Sequence, residues 1–201
     1  AWYTTGYRYD AGSRLAGTIR PSANGTTGPF PATRVVYNAQ GLVDREETGA
    51  LQDWQPETVA PSSWPGFAIY KTVAYSYDDW DRKLTEQVKG TDLAVATLTQ
   101  TSYDSAGQPE CVAQRMNPAA FGTLPWACAL GVEGTQGPDR ITRNTYDTLS
   151  RVIKVQRAYG TPLQYDYATY SFYSGANFYG TSIAMPGPQA SAKDANNNLS
   201  Y

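Results

Sequence analysis

The sequence predicts an all-β fold, a repetitive ribbon of antiparallel β-hairpins, on three observations. Tyr followed by Asp or Asn recurs along the chain, each time with an alternating, strand-like run before it and another after it. The 201 residues include 18 Gly and 13 Pro, and the apolar content leans on Tyr, Val, Ala and Trp rather than Leu, a composition of strands and turns. Charged residues reach only 17 %, against about a quarter in an ordinary globular chain.

Five copies of the dipeptide are clear: Tyr9-Asp10 with Arg14, Tyr37-Asn38 with Gly41, Tyr77-Asp78 with Arg82, Tyr103-Asp104 with Gly107, and Tyr146-Asp147 with Arg151. A degenerate sixth begins at Tyr173. Successive intervals are 28, 40, 26, 43 and 27 residues, so short and long alternate and the unit is a pair of hairpins. The chain then reads as one continuous array of about three double repeats, 1–68, 69–137 and 138–201. Residue types alternate in step. First members carry Arg14, Arg82 and Arg151 five places after the Tyr, whereas second members have Leu42 and Gln108 there and keep Gly41 and Gly107 one place earlier.

Each copy makes physical sense as a hairpin. The run Thr33-Arg34-Val35-Val36-Tyr37 and the run ending Ser76-Tyr77 are rich in β-branched and aromatic residues. Beyond the turns, Arg82-Lys83-Leu84-Thr85 and Arg151-Val152-Ile153-Lys154 resume the alternation. The Asp or Asn after the Tyr bonds its own backbone two residues on and tolerates left-handed conformations, which suits the opening of a tight turn. Four places after the Tyr stand Ser13, Gly41, Asp81, Gly107 and Ser150, all small or turn-compatible. Stacked hairpins would set the Tyr rings in a ladder, with the first-member Arg able to reach the turn Asp or a ring face. The Pro/Gly-rich stretches 21–32, 49–67, 116–138 and 174–192 read as loops, and Trp54, Trp64 and Trp126 within them as plugs at the ends of a core.

Tyr-Asp-x-x-Gly-Arg followed by an apolar residue, recurring at twenty-odd or forty-odd residues, resembles the Rhs or YD repeat of large bacterial secreted, cell-surface and toxin proteins. The resemblance spans the chain and includes the Lys193-Asp194-Ala195-Asn196-Asn197-Asn198 stretch, similar to one that leads into the next turn in such proteins. No copy has both the Gly and the Arg of the family pattern. The resemblance implies a hairpin ribbon that spirals into a tube, a fibre or a hollow shell around a toxic cargo, with no active site in the repeats. The aspartyl self-cleavage segment of shell-forming members has no convincing match here.

Composition excludes other functions. With no His, a Ser-His-Asp or Cys-His nucleophile and a His-ligated zinc are impossible within this chain. A net charge of -2 gives no basic field for nucleic acid, and no apolar run approaches the roughly 20 residues of a membrane-spanning helix. Cys111 and Cys128 cannot close a zinc site by themselves. They are expected to form a disulfide across the adjacent loop, two buried free thiols being the alternative. Asp78, Asp79 and Asp81 form the densest acidic cluster, followed by Asp44, Glu46 and Glu47, and the first could hold calcium at a turn or supply one of two carboxylates for sugar hydrolysis. The plainer reading makes Asp78 a turn residue with solvated neighbours. Sixteen Tyr could also build a carbohydrate-binding surface.

The expectation is therefore a non-catalytic structural array without cofactors, extracellular or on a bacterial surface, cut from or continuing into a longer polymer. Its partners would be copies of itself or flanking repeats, joined by strand pairing at unblocked edges into a filament or tube. The alternatives are the wall of a shell enclosing a toxin, and an adhesive surface.

Overall fold

The computed structural model describes residues 4–172, 189–193 and 199–200. The chain is all-β, and it forms two compact units, Ala1–Leu98 and Thr99–Tyr201. The divide falls inside a strand.

In the first unit, strand order in the sheet follows chain order, and every neighbouring pair is antiparallel: β1 (Gly6–Tyr9), β2 (Leu15–Ile19), β3 (Phe30–Tyr37), β4 (Val43–Leu51), β5 (Ala68–Tyr77) and β6 (Lys83–Lys89). The strand holding the divide is β7 (Val95–Tyr103). The second unit continues with β8 (Pro109–Arg115), β9 (Arg140–Tyr146), β10 (Val152–Arg157), β11 (Tyr165–Phe172), β12 (Gln189–Lys193) and β13 (Leu199–Ser200), again paired antiparallel in chain order.

Each of the five motif tyrosines is the last residue of its strand: Tyr9 of β1, Tyr37 of β3, Tyr77 of β5, Tyr103 of β7 and Tyr146 of β9. The sixth copy begins just past the described run that ends at residue 172. Strand β11 ends at Phe172, one residue before Tyr173, and the stretch from Tyr173 lies outside the described residues.

A single sheet layer needs something to cover its apolar face. In the first unit that cover is the loop 52–67. Ile19 pairs with Ala32 and Phe30 with Leu51 in register, which puts all four on one face. They are buried together with Trp64, and Trp54, Val59 and Phe67 pack around them. Phe30 meets Trp54 edge-to-face at 5.7 Å, as Trp64 meets Phe67. Trp54 and Trp64 thus act as the plugs their loop position suggested, while Trp126 is exposed.

The face is shaped to receive these rings. A Cβ on Gly17 would lie 2.6 Å from Cη2 of Trp64, and one on Gly6 2.9 Å from Cζ2 of Trp54. The loop estimate 49–67 began too early, because Gly49, Ala50 and Leu51 are strand residues of β4. Gly49 stands in the strand because the Ala68 carbonyl of β5 comes within 2.0 Å of where its Cβ would be.

The second unit repeats the scheme with a smaller core. Cys111 and Ala113 of β8, Ile141 of β9 and Ala127 of the loop 116–139 are buried together, with Cys128 and Tyr159 packed against them. Cys111 and Cys128 form a disulfide with Cα atoms 5.3 Å apart, fastening the loop to its strand.

The glycine seats give a direct test. Gly17→Ala should lower stability by about 1–3 kcal/mol through overpacking against Trp64 and disturb the near-ultraviolet circular dichroism. Gly122→Ala, where a Cβ meets nothing within 4 Å, should stay within about 0.5 kcal/mol of the parent. Equal effects at both positions would contradict the assigned packing.

Candidate functional site

The motif residues converge on one local structure built five times. A three-residue loop whose last residue is left-handed reverses the chain, a favoured hairpin connection. In the first turn the Asp10 amide donates to the Arg14 carbonyl at 2.9 Å, and the Ser13 amide to the Asp10 carbonyl at 3.0 Å. The same two bonds recur at Asn38, Asp78, Asp104 and Asp147.

The Asx side chain finishes the turn. Oδ1 of Asp10 accepts from the amides of Gly12 and Arg14, that of Asp78 from Trp80 and Arg82, that of Asp104 from Ala106 and Gln108, and that of Asp147 from Leu149 and Arg151, all at 2.8–3.0 Å. Asn38 does the same for Leu42 with its amide oxygen. Amides that would otherwise face the loop interior unpaired are satisfied by one oxygen.

The fourth residue after each Tyr is left-handed: φ is +60° at Ser13, +87° at Gly41, +62° at Asp81, +82° at Gly107 and +64° at Ser150. This explains why the Gly and the Arg of the repeat alternate. Gly adopts that conformation without steric cost, and where Gly41 and Gly107 hold it the next residue is Leu42 or Gln108. A residue with a Cβ is strained there by about 1 kcal/mol or more. In each of those turns an Arg follows and clamps the carboxylate: Arg14 on Asp10, Arg82 on Asp78 and Arg151 on Asp147, each with a 2.7 Å ion pair and a second bond through Nε.

The tyrosines join one hairpin to the previous one. The hydroxyl of Tyr37 donates to the Leu15 carbonyl at 2.9 Å, that of Tyr77 to Val43 at 2.8 Å, and that of Tyr146 to Pro109 at 2.9 Å. Each acceptor is the first strand residue after the preceding turn. The Arg takes part as well. The Arg14 guanidinium lies 4.2 Å from the centroid of the Tyr37 ring, and Arg151 lies 4.2 Å from that of Phe172. Phe172 thus presents to Arg151 the ring that Tyr37 presents to Arg14. Arg82 stacks on Trp80 of its own turn at 4.8 Å.

Arginines that the repeat pattern did not single out hold the covering loops. Arg34 of β3 pairs with Glu47 of β4, donates to the Pro61 carbonyl and stacks on Phe67. Arg8 of β1 is buried and donates through Nη2 to the Gln55 carbonyl. In the second unit Arg115, 3 % exposed, bonds Asp139 at 2.6 Å, Oε1 of Gln100, and the carbonyls of Pro125, Trp126 and Ala129. Asp139 also accepts from the amides of Met116 and Gly131, both 2.8 Å away. One buried guanidinium thereby organises both ends and the crest of the loop 116–139.

The carboxylates are tuned by these partners. At Asp10 and Asp147 the following Arg, first through its amide and then through its guanidinium, holds the carboxyl below its usual value. At Asp78 and Asp139 burial pushes the carboxyl up, but the bonded amides and Arg82 or Arg115 outweigh it and leave a net lowering. Glu47 is likewise pushed up by burial and brought down further by Arg34 and Arg45. Of the acidic cluster, Asp78 is a turn residue and Asp81 the left-handed residue of the same turn. Among the described residues no group of three acidic or Cys side chains is placed to hold a metal ion.

No protein-family model matches the chain, and no curated protein matches it. Among solved structures, it is similar to a chain of the Photorhabdus luminescens Tc holotoxin pore carrying mutated TccC3, at 16 % identity and a TM-score of 0.43 over 98 % of this chain and 9 % of that one. It is also similar to a chain of a TcdB2–TccC3 crystal structure, at 13 % identity and a TM-score of 0.34 over 94 % of this chain and 10 % of that one. The chain spans about a tenth of the length of these solved chains.

The turns predict opposite responses to glycine. Ser150→Gly should leave stability unchanged or raise it by up to about 1 kcal/mol, whereas Gly107→Ala should lower it by about 1 kcal/mol or more, measured by urea unfolding. The lowered carboxyls set the pH dependence. Their contribution is complete above the unfolded value of 3.8 and is lost as pH falls through the lower folded values. The urea midpoint should therefore hold steady from pH 7 to 5 and drop below pH about 4. A midpoint that rose on acidification would contradict the assignment.

Proposed function

We propose that the chain is a non-catalytic architectural segment of an extracellular or cell-surface bacterial repeat assembly, built by strand pairing. The observation that carries this reading is the hand-on of contacts from hairpin to hairpin. Within each unit a Tyr bonds the backbone just past the preceding turn, and the Tyr37 hairpin does both, donating through Tyr37 to Leu15 and accepting from Tyr77 at Val43. An arrangement of this kind extends by repetition, each repeat contacting its neighbours.

The state of the acidic side chains supports a structural rather than a chemical role. Asp10, Asp78, Asp139, Asp147 and Glu47 are each engaged by an arginine and each held below the usual carboxyl value. General acid catalysis needs a carboxyl shifted the other way. The disulfide Cys111–Cys128 suits an oxidising, extracellular setting.

In residues 1–201 taken alone, assembly would use β1 as an adhesive edge. It stands first in the strand order of its unit and carries the exposed rings of Tyr7 and Tyr9, with no Lys or Pro in Gly6–Tyr9 to block pairing. Sedimentation velocity of residues 1–201 should therefore show polymers, and the exposed-edge variant Tyr7→Lys with Tyr9→Lys should shift the distribution towards monomer. A parent chain that stayed monomeric at tens of micromolar would overturn the reading. Electron microscopy of the polymer separates its forms: uniform fibres mark a filament, and closed hollow particles mark a wall around a cargo.

A further inference from the structure

At the ends of β9, β10 and β11 the second unit holds a cleft of about 470 Å³ whose lining includes Arg140, Thr142, Arg157, Leu163 and Tyr165. We propose that it is a binding site for an amphipathic carboxylate, a small ligand with one anionic group on a flat apolar body. The volume lies in the range of small-molecule sites, about 300–1,000 Å³.

The charge pattern points to the anion. Seven arginines of the chain pair with a carboxylate. Among the described residues, the arginines without such a partner are Arg8, Arg20, Arg140 and Arg157; Arg8 is engaged by the Gln55 carbonyl, and Arg140 and Arg157 converge on this cleft. Asp139 also borders it, but its two oxygens are engaged by Arg115 and by the amides of Met116 and Gly131. It leaves the two guanidinium charges uncompensated. Arg157 is already oriented, because its guanidinium lies 3.8 Å from the centroid of the Tyr167 ring. A guanidinium stacked in this way keeps its donor edge free for bidentate bonding to a carboxylate.

The apolar body is called for by the remaining surface. Arg140 and Thr142 flank the buried Ile141 along β9 and so project from the face opposite the covered core. Tyr165, the register partner of Arg157, is 44 % exposed, and Leu163 is 79 % exposed. An apolar wall left open beside unpaired cations fits a ligand that combines both properties. This inference is independent of the architectural reading, since a structural segment and an isolated domain could equally carry the cleft.

Naphthoate is a suitable probe. Calorimetric titration of the whole chain should give saturable binding, with affinity reduced about tenfold or more in Arg157→Gln and in Arg140→Gln. Both side chains are exposed, so the variants should keep the parent's thermal midpoint, which checks that the fold is intact. The neutral naphthalenemethanol should bind about tenfold more weakly than naphthoate. Naphthyl phosphate in parallel should bind no more tightly than naphthoate, and a preference for the phosphate would overturn the carboxylate assignment. Naphthoate binding that survived both arginine variants, no saturation at millimolar concentrations, or a preference for a glucuronate oligosaccharide over naphthoate would each overturn the assignment.

Discussion

The structure depends on one oxygen per turn. Each hairpin must reverse within a few residues, and the reversal leaves two amides pointing at the loop interior. The Asx Oδ1 satisfies them, which is why Asp or Asn follows every motif Tyr. The next requirement is a left-handed residue, and the chain meets it in two ways. Gly41 and Gly107 adopt the conformation freely. Ser13, Asp81 and Ser150 adopt it under strain, with an arginine holding the turn closed from outside. The replacement of Gly and Arg in alternate copies is thus one constraint with two physical solutions.

The arginine solution has a consequence beyond its own turn. Once the guanidinium is fixed on the Asp, its flat face is presented to the next hairpin, where Tyr37 or Phe172 lies against it. The turn then becomes a connector, and the Tyr hydroxyl adds a second link to the preceding strand. Local chain reversal and hairpin-to-hairpin adhesion are carried by the same few atoms. Repeats that use Gly keep the hydroxyl link alone, so the strength of coupling should alternate along the ribbon.

The sheet face poses a separate problem, because a single layer has no partner layer to bury it. Long loops fold back as covers, and the sheet anchors them with arginines whose charges are matched beneath the cover or at its foot, Arg34 by Glu47 of β4 and Arg115 by Asp139. A buried pair of this sort is costly to break, at about 3–5 kcal/mol when one partner is removed. The disulfide adds a covalent tie in the second unit only. That unit's buried cluster includes two alanines and a cysteine, where the first has Phe30, Leu51 and Trp64.

Much of this was legible in the residues. The strand type, the turn positions and the plugging roles of Trp54 and Trp64 follow from short-range rules, because turn chemistry and alternation are encoded within a few neighbours. The loop clamps were not legible. Arg34 and Glu47 are 13 residues apart and Arg115 and Asp139 are 24 apart, and only the register of the sheet brings them together. A hint existed in Arg34 and Glu47, charged residues at positions the strand alternation assigns to the covered face. Gly49 was misjudged as loop for a related reason, since its role is to admit the backbone of another strand.

The account stands on the coupling between an arginine-closed turn and the ring of the next hairpin. A double-mutant cycle on Arg14→Gln and Tyr37→Leu, read by urea unfolding at low salt, measures it directly. A coupling of about 0.5–1 kcal/mol is predicted. Additive losses, with no coupling beyond experimental error, would show that the guanidinium adds nothing to the junction between neighbouring hairpins and would contradict the account.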